Sequence, residues 1–299
     1  MVLIKELPRE EYFSYGHRAC AGCAEPIATR IVTKAIGRDI IVVSPTGCLE
    51  VISSPYPQTA WRVPWIHVAF ENAAAVASGI EAALKAQIRK GRREGRKIHI
   101  VSIAGDGGTA DIGLQALSGA MERGHDMLYV CIDNEAYMNT GIQRSSATPY
   151  GAWTTTTPYG KLSIGEDRWK KDVPAIIAAH DVSYVATASV SYPTDLYEKA
   201  KKGAEIEGPA YIHVLTPCPV GWRFDSSLTI RMGRLAVETG YWPLYEVVNG
   251  EFKLTKRIRK RKPIKEYLEL QGRFRHLPDK EIQKIQEHID AKCKSMGME

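Results

Sequence analysis

The chain has 299 residues, of which 44% are hydrophobic and 25% are charged, a composition typical of a globular protein with a substantial core. It contains no apolar run near the roughly 20 residues that a membrane-spanning helix needs, and residues 1–11 lack the apolar centre of a signal peptide. These features exclude an integral membrane protein, and we expect a cytoplasmic chain with no membrane partner.

The N-terminal third predicts an arm followed by alternating helices and strands. Residues 1–19 are the predicted arm, and it ends in a turn of small residues that carries Cys20 and Cys23. The periodicity of apolar positions and the positions of Gly and Pro then predict a helix over 26–36, a buried strand over 40–43 and an Ala-rich helix over 71–90.

The middle of the chain contains the clearest strand–helix–strand unit. A strand is predicted over 98–104, a tight glycine turn over 105–108 and a helix over 111–123, which Gly124 ends. The next strand is predicted over 127–133. A unit of this length implies two parallel strands joined by a right-handed crossover.

A polar segment rich in Gly, Thr and Tyr, residues 134–158, follows this unit and is too long to be a simple connector. The alternation of helices and strands then continues to a last predicted strand, with elements over 173–180, 184–188, 195–203 and 210–215. We therefore predict an α/β fold with a mostly parallel sheet, in a domain that spans residues 20–227.

Residues 228–299 change in character and are predicted to be a C-terminal extension that wraps a neighbour. Residues 241–246 are predicted to be irregular or extended, and 278–294 an exposed helix. The basic run at 256–262 is typical of a solvated turn or tail, although a nucleic-acid patch or a docking surface for an acidic protein gives the same pattern.

The turn Gly105-Asp106-Gly107-Gly108 ends one strand and opens a helix, which is where open α/β sheets bind ligands. Backbone N–H groups at such a turn favour a phosphate, and glycines let the backbone approach it closely. A carboxylate at Asp106 would repel that phosphate unless a divalent cation joined the two. Mg²⁺ takes few protein ligands beside phosphate oxygens, and Asn134 at the end of the adjacent strand offers a second oxygen.

Two other interpretations of this turn remain open from the residues alone. Residues 105–110 also match the dinucleotide-binding pattern G-x-G-x-x-G/A, with Asp133 placed to bind a ribose. The turn can also be a glycine turn without a ligand. The dinucleotide interpretation explains neither Asn134 nor the polar segment that follows it.

Four of the six cysteines are placed to meet in space, namely Cys20, Cys23, Cys48 and Cys218. The last two follow predicted strands, and the ends of parallel strands converge at one edge of a sheet. Four thiolates suit either Zn²⁺ or an iron–sulfur cluster, and thiolate chemistry alone does not separate the two. We expect Cys131 to be a core residue because it lies within a strand, and Cys293 to be a surface thiol.

The sequence resembles the 2-oxoacid:ferredoxin oxidoreductase family. Gly105-Asp106-Gly107, then 26 residues, then Asn134 resembles the thiamine diphosphate signature, and Asn134-Glu135-Ala136-Tyr137-Met138-Asn139-Thr140-Gly141 resembles that family's cofactor loop. The resemblance implies a thiamine-diphosphate-binding fold with helices on both faces of the sheet. It also implies that Asp106, Asn134 and the carbonyl of Ala136 bind Mg²⁺, and that Asn139 faces the reacting carbon.

The resemblance also places the diphosphate and the cysteines. It implies that Gly105, Gly107 and Gly108 form the diphosphate turn, with N–H groups of the last two as donors, and that Thr46, Gly47 and Cys48 lie close to the thiamine. It implies that Cys20, Cys23, Cys48 and Cys218 hold one 4Fe–4S cluster.

The activity that the resemblance implies is the reversible oxidative decarboxylation of a 2-oxoacid to its acyl-CoA. The expected partners are coenzyme A, ferredoxin, an α subunit and γ and δ subunits with further clusters. We find no pyrimidine-side glutamate here, since Glu71 fits a surface position, so the α subunit is expected to supply it and this β chain to be inactive alone. Residues 137–158 are most similar to pyruvate-type β chains, with branched-chain 2-oxoacids, 2-oxoglutarate and oxalate as alternatives.

Two other classes of function compete with this one. A non-redox thiamine decarboxylase or carboligase would leave the four thiols unexplained, and a zinc protein that binds nucleic acid would leave Asp106 and Asn134 unexplained. We therefore expect no nucleic-acid partner. His67, with Trp61 and Trp65 before it, fits either a structural position or a place near the active site or the α interface.

Overall fold

The computed structural model describes residues 3–55, 57–93 and 97–298. The first two residues of the predicted N-terminal arm and the last residue of the predicted C-terminal extension lie outside these ranges. No helix within the described ranges is both long enough and apolar enough to cross a membrane.

An eight-stranded sheet forms the centre of the molecule, in the order β10-β9-β7-β8-β4-β3-β1-β2. The six strands from β7 to β2 in this order are parallel, and β9 and β10 add an antiparallel edge. A separate two-stranded hairpin consists of β5 and β6. The strands are β1 (Ile40–Pro45), β2 (Trp65–Val68), β3 (His99–Gly105), β4 (Leu128–Asp133), β5 (Tyr159–Gly160), β6 (Ser163–Ile164), β7 (Tyr184–Ser189), β8 (Ala210–Leu215), β9 (Tyr245–Val248) and β10 (Glu251–Leu254).

Helices cover both faces of this sheet. They are α1 (Glu25–Ile36), α2 (Cys48–Ser53), α3 (Ala73–Arg89), α4 (Leu114–Glu122), α5 (Val173–Ala178), α6 (Pro193–Glu205), α7 (Pro219–Trp222), α8 (Thr229–Glu238), α9 (Ile264–Leu268) and α10 (Asp279–Ser295). Helices α1 and α6 pack together on one face, and α3 and α4 pack together on the other. The prediction of a mostly parallel α/β sheet covered on both faces is confirmed.

Residues that alternate along each strand supply the two sides of the core. In β1, Val42 belongs to the core beneath α1 and α6, and Val43 belongs to the core beneath α3 and α4. Strands β4 and β8 are buried at every position. Strands that are covered on both faces bury continuous apolar runs, which explains why these two segments are recognisable in the sequence.

The glycine turn differs from the predicted tight turn. Asp106 and Gly107 are already helical, and a π-helical turn at Gly108–Ile112 leads into α4, which begins at Leu114 and not at Asp111. The wide turn brings Gly113 against the carbonyl oxygen of Gly108, where a Cβ atom would lie 2.1 Å from that oxygen. A glycine is therefore required at position 113, and the prediction missed this because it treated the turn and the helix as separate elements.

The C-terminal extension packs against its own chain. Strand β9 pairs with β7 and extends the sheet, so Tyr245–Val248 is regular structure within a segment predicted to be irregular or extended. A further core joins the extension to residues before 227, among them Tyr150, Leu215 and Trp222. The domain boundary at residue 227 therefore does not coincide with a break in packing. Whether the extension also wraps a neighbour stays a prediction.

Helix α10 forms close to its predicted bounds with most of its residues at the surface, but the expectation that Cys293 is a surface thiol is wrong. Ile285, Ile289 and Cys293 recur at intervals of four and form a buried stripe on this helix. Cys293 is 1% exposed, and its thiol donates a hydrogen bond to the carbonyl oxygen of Gly240. The helix is amphipathic, and its many charged residues concealed a narrow apolar face.

The basic run at 256–262 is partly paired within the chain. Arg261 forms an ion pair with Asp290 at 2.6 Å, and Lys262 forms one with Glu238 at 2.8 Å. Arg257 and Lys260 are exposed. Ion pairs near the surface contribute little to stability, but these two neutralise part of the charge of the run. Its role as a solvated tail or a docking surface stays a prediction.

Candidate cofactor and cluster site

The carboxyl ends of β3 and β4 form one wall of a cleft. Gly105 pairs in register with Ile132, so Asp106 and Asn134 follow at the same edge of the sheet. The loop after β1 and the segment after β4 close the cleft. Its lining includes all ten predicted cofactor residues, namely Thr46, Gly47, Cys48, Gly105, Asp106, Gly107, Gly108, Asn134, Ala136 and Asn139.

Asp106 is 1% exposed, and its carboxylate accepts a hydrogen bond from the Ser145 hydroxyl at 2.5 Å. Burial raises the pKa of Asp106 well above its usual range, and the nearby Asp133 carboxylate raises it further. A buried carboxylate beside a second one is stabilised by a bound cation. Ser145 was not predicted, because one serine in a polar loop carries no signal of its own.

The hydrogen bonds of Asn134 show whether a metal ion suits this cleft. Its side-chain N–H donates to Glu25 at 2.8 Å, and its backbone carbonyl accepts from the Trp222 indole N–H at 2.7 Å. The side-chain oxygen of Asn134 is buried without a hydrogen-bond partner. Buried polar atoms are nearly always satisfied, and an amide oxygen is a normal ligand of Mg²⁺ and Ca²⁺. The residues present therefore fit a divalent cation held with Asp106.

Glu25 is a cleft residue that the sequence analysis missed. It begins α1, is 3% exposed, and one of its carboxylate oxygens has no hydrogen-bond partner. Burial raises its pKa to about 7, although the hydrogen bond from Asn134 acts in the opposite direction. An acidic residue in the first turn is common in any helix, so its position carried no signal that distinguishes it.

The glycines of the turn have different roles. A Cβ atom at Gly107 would lie 2.3 Å from the Tyr137 ring, and one at Gly108 would lie 3.0 Å from the carbonyl oxygen of Phe70. A Cβ atom at Gly105, in contrast, would meet no other atom within 4 Å. Packing alone therefore requires the glycine at 107, whereas Gly105 leaves open space in the cleft. Donation from Gly107 and Gly108 to a diphosphate stays a prediction.

The segment after β4 folds back over the cleft. Ala136 is buried beside it, and Asn139 is exposed at its rim. The Tyr137 hydroxyl donates to Asp111 at 2.6 Å, and its backbone pairs with Gln143. These contacts fix the segment, which agrees with the expectation that it is more than a connector.

The dinucleotide interpretation of the turn is wrong. Asp133, the proposed ribose ligand, is fully buried. One of its oxygens accepts from the Lys170 ammonium at 2.6 Å and lies 2.7 Å from His213 Nε2, and the other accepts from the Glu135 backbone N–H at 2.8 Å. A carboxylate held by three groups inside the protein cannot reach a ribose.

The four predicted ligand cysteines come from three separate places in the fold. Cys20 and Cys23 form a turn before α1, Cys48 begins α2, and Cys218 follows β8 and caps α7. Cys20 is exposed, and the other three are partly buried. Cys131 lies elsewhere, fully buried in β4, with its sulfur 3.7 Å from His213.

Each of the four thiols lies within electrostatic range of at least two of the others. Burial raises the pKa of Cys218 to about 11, and burial and the Glu25 carboxylate raise the pKa values of Cys23 and Cys48 above their usual range. A bound metal centre offsets such a rise by stabilising thiolates. Within the described ranges no three Cys, His, Asp or Glu side chains are already arranged to hold a single metal ion.

Cys48 joins the cysteine group to the cofactor cleft. It lines the cleft, and both Asp106 and the thiols of Cys23 and Cys218 act electrostatically on it. Glu25 likewise lines the cleft and acts on the same thiols. The two predicted sites are therefore neighbours.

His67 lies on the edge strand β2 at the rim of this region. Its Nε2 atom is 2.9 Å from the Thr46 hydroxyl, and its ring stacks on Trp65, which in turn stacks on Trp61. The stack supports the loop that carries Thr46, and the half-exposed ring also faces solvent. Glu71 is exposed, as expected.

Comparison with known proteins agrees with this geometry. Residues 45–214, more than half of the chain, match the family described as the thiamine pyrophosphate enzyme C-terminal TPP binding domain. The matched range contains the ends of β3 and β4, the loop after β1 and the segment after β4, which together form the cleft. The chain also shares the fold of a 2-oxoglutarate:ferredoxin oxidoreductase from Magnetococcus marinus, with a TM-score of 0.59 and 22% identity over 77% of this chain and 82% of that one.

More similar relatives define the family further. A pyruvate synthase subunit PorB from Methanocaldococcus jannaschii is 60% identical over 99% of this chain and 100% of its own length, and the PorB of Methanothermobacter thermautotrophicus is 60% identical over 97% and 99%. A ketoisovalerate oxidoreductase subunit VorB from Pyrococcus abyssi is 53% identical over 95% and 91%. The chain belongs to the PorB family of pyruvate synthase subunits, which are 2-oxoacid:ferredoxin oxidoreductase β chains, and the predicted resemblance is confirmed.

Proposed function

We propose that this chain is the cofactor- and cluster-binding β subunit of an enzyme that oxidatively decarboxylates pyruvate in the presence of coenzyme A. The products are acetyl-CoA and CO₂, the electrons pass through one 4Fe–4S cluster to ferredoxin, and the reaction is reversible. The observation that carries this proposal is the contact between two sites. Cys48 belongs both to the cleft of Asp106 and Asn134 and to the group of four thiols, and Glu25 lines the same cleft and acts electrostatically on three of those thiols.

The cofactor half of the proposal rests on the buried oxygens of the cleft. Asp106 and Asn134 would hold Mg²⁺ through side-chain oxygens and Ala136 through its carbonyl, while Ser145 orients the Asp106 carboxylate. Gly105, Gly107 and Gly108 would lie against the diphosphate, with Thr46 and Gly47 on the opposite wall. When bound, thiamine diphosphate supplies an electron sink for the decarboxylation of a 2-oxoacid.

The redox half rests on the thiols. Cys20, Cys23, Cys48 and Cys218 would hold the 4Fe–4S cluster, which suits thiolate ligation from separate loops. The Gly221 backbone N–H donates to the Cys218 sulfur at 3.4 Å, and hydrogen bonds to cluster sulfurs are one way in which a protein tunes the reduction potential. Asn139 at the rim would face the substrate.

Pyruvate is the substrate named in the PorB relatives, which reach 60% identity to this chain. Overall similarity separates the substrates poorly, because the PorB of Pyrococcus furiosus is 51% identical and the VorB of Pyrococcus abyssi is 53% identical. Ketoisovalerate is therefore the second candidate. The proposal of pyruvate follows the most similar relatives and the resemblance of residues 137–158.

The proposed partners follow from the family resemblance and from the relatives' names. An α subunit would complete the active site and supply the pyrimidine-side glutamate, and γ and δ subunits would carry the clusters that reduce ferredoxin. A complex of several subunits agrees with the word subunit in the names of the PorB relatives.

The experiment is anaerobic purification of the chain with its natural partners, followed by measurement of iron, zinc and thiamine diphosphate per β chain. We expect about four irons attributable to this chain, together with bound thiamine diphosphate, and pyruvate-dependent reduction of ferredoxin that exceeds the rate with ketoisovalerate. In the same complex, Asp106→Ala should abolish thiamine diphosphate binding, because the cation loses its buried carboxylate.

Each contrary result addresses a different part of the proposal. Zinc without thiamine would overturn all of it, and thiamine without iron would indicate a non-redox thiamine enzyme. Undiminished cofactor binding by Asp106→Ala would remove the argument for a cation at this turn. A faster reaction with ketoisovalerate would change the substrate and leave the chemistry intact.

A further inference from the structure

Glu135 lies between two predicted Mg²⁺ ligands, Asn134 and Ala136, and has an unusual backbone. Its φ angle is +69°, a left-handed conformation that non-glycine residues seldom adopt. Its side chain is fully buried. Strained backbone of this kind persists only where the surroundings hold it, and such residues concentrate at functional sites.

Every polar group of Glu135 has a hydrogen-bond partner. Its backbone N–H donates to Asp133 at 2.8 Å, and its carbonyl accepts from the Thr148 hydroxyl at 2.8 Å. Three donors reach its carboxylate. They are the Lys170 ammonium at 2.9 Å, the Tyr241 hydroxyl at 2.6 Å and the Arg273 guanidinium at 2.6 Å.

Arg273 acts on residues 134–136, called the cofactor turn here, through two sets of contacts. Its guanidinium donates to Glu135, which lies on one side of the Ala136 carbonyl. The same guanidinium lies 4.1 Å from the centre of the Trp222 ring, and that indole donates to the carbonyl oxygen of Asn134 at 2.7 Å. Arg273 is 2% exposed, and its Nε donates to Gln271 at 2.9 Å.

The charges around the turn balance without a metal. Asp133 and Glu135 carry two negative charges, and Lys170 and Arg273 carry two positive ones, with Lys170 bridging the two carboxylates at 2.6 and 2.9 Å. The acidic residues on either side of Asn134 are thus already neutralised. Asp106 and Glu25 are then the cleft carboxylates without a cationic partner among the described residues, and the neutral amide of Asn134 lies beside them.

We propose that Arg273 is a positioning residue for the cofactor turn, and that the pair Glu135–Arg273 sets the backbone of residues 134–136 for Mg²⁺ and thiamine diphosphate. This inference rests on the proposed function. It assigns a role in the active site to the C-terminal extension, since Arg273 follows α9 and is 138 positions away from its carboxylate partner.

Stability alone does not account for this arrangement. A buried ion pair contributes little compared with apolar residues of the same volume, because both charges lose their hydration. Strain at Glu135 adds a further cost. A planar guanidinium that both pairs with a carboxylate and stacks on an indole fixes the direction of its partners, which is what a metal-binding carbonyl on the next residue requires.

The test uses the complete complex and measures the dissociation constant of thiamine diphosphate at a fixed Mg²⁺ concentration. We expect Arg273→Met to weaken binding about 10- to 100-fold, as loss of a group that orients metal ligands does in other proteins. Arg273→Lys keeps the charge and should recover part of the affinity. The matched control is Arg275→Met, since Arg275 is exposed two positions away and should bind as the wild type does.

Three further readouts distinguish positioning of the cofactor from a merely structural role. Positioning predicts that added Mg²⁺ narrows the difference between Arg273→Met and wild type, that kcat at saturating cofactor is largely retained, and that iron per β chain is unchanged. If Arg273→Met does not assemble, the same measurements on Arg273→Lys and Glu135→Gln replace it, and both should show weakened, Mg²⁺-dependent binding.

The outcomes distinguish this inference from the proposed function. Wild-type complex that binds no thiamine diphosphate overturns the proposed function. Wild-type complex that binds it, with unchanged affinity in assembled Arg273→Met or in both substitute variants, overturns the positioning role alone. Weaker binding that Mg²⁺ does not relieve, accompanied by loss of iron, also overturns it, because the whole site has then been disturbed.

Discussion

Cys131 and Cys48 differ in burial in a way that tests the choice of cluster ligands. Cys131 reaches neither solvent nor the cleft, since it is 0% exposed in β4, between β3 and β8, with its sulfur 3.7 Å from His213 Nε2. We expect Cys131→Ser to leave iron per folded β chain unchanged. The buried hydroxyl should lower the free energy of unfolding by about 1–3 kcal/mol if it finds no partner.

The matched variant is Cys48→Ser, which should lose iron, because Cys48 lies beside the other three thiols and the cleft. Iron analysis of both purified complexes, with thermal unfolding as the measure of stability, decides the question. Loss of iron in Cys131→Ser with retention in Cys48→Ser would show that the four ligands were wrongly chosen.

At the scale of single residues, the sequence predicted those site residues that lie just after the end of a strand. Asp106 and Asn134 end adjacent strands, and glycines or prolines mark the turns that carry Cys48 and Cys218. Glu25, Ser145 and Arg273 were not predicted, because their partners are remote. Glu25 meets Asn134 across 109 positions, and Arg273 meets Glu135 across 138. Neither contact leaves a local pattern in the sequence.

At the scale of elements, the cysteine turn before α1 depends on one glycine. Gly22 has φ of +73°, and a Cβ atom there would lie 2.3 Å from the backbone carbonyl oxygen of Ser226. The carbonyl oxygen of Gly22 accepts from the Thr229 hydroxyl at 2.6 Å. The start of α8 thus holds the turn that carries Cys20 and Cys23, and no side chain fits between them.

Gly22→Ala should therefore displace the turn and lower iron per β chain. The matched control is Gly16→Ala, because Gly16 also has a positive φ, +95°, but open space around it. Both variants incur left-handed strain of about 1–2 kcal/mol, and only Gly22→Ala incurs the collision. Iron content and thermal unfolding of the two complexes are the measurements. Equal iron in both would show that the collision is relieved without moving the cysteines.

The sequence predicted the central elements well because strands covered on both faces are continuously apolar. Strand β8 has the predicted bounds, and α1, α3 and α6 start or end within a few residues of prediction. The error at the start of α4 lies where long-range packing decides, since the π-helical turn at Gly108–Ile112 depends on contacts of Gly113. The segment 241–246, predicted to be irregular or extended, pairs as β9 from Tyr245 because β7 offers an edge.

At the scale of the whole molecule, the predicted domain 20–227 and the C-terminal extension pack around one apolar cluster to which both contribute. The extension covers Tyr150, Leu215 and Trp222 with residues such as Tyr267 and Ile285, and β9 completes the edge of β7. Its Arg273 also neutralises Glu135 beside the cofactor turn. Because of this packing, we expect the predicted domain 20–227 and the extension to fold as one unit.

A chain that ends at residue 227 should consequently fail to fold cooperatively. Truncation would expose the apolar cluster around Trp222 and leave β7 as an unpaired edge. It would also remove the Arg273 guanidinium, which donates to one carboxylate oxygen of the buried Glu135. An exposed strand edge and apolar patch promote aggregation. The measurement is denaturant unfolding followed by circular dichroism, with the full-length chain as reference.

The control for this truncation is full-length Arg257→Ala with Lys260→Ala, which changes the exposed basic run and removes no core contact. This control should unfold as the wild type does, whereas the truncated chain should aggregate or unfold without a sharp transition. A truncated chain with a cooperative transition would show that residues 20–227 form a domain of their own. The extension would then contact the cofactor turn as a separate unit. In that case, adding the C-terminal segment in trans should restore the contact of Arg273 with Glu135.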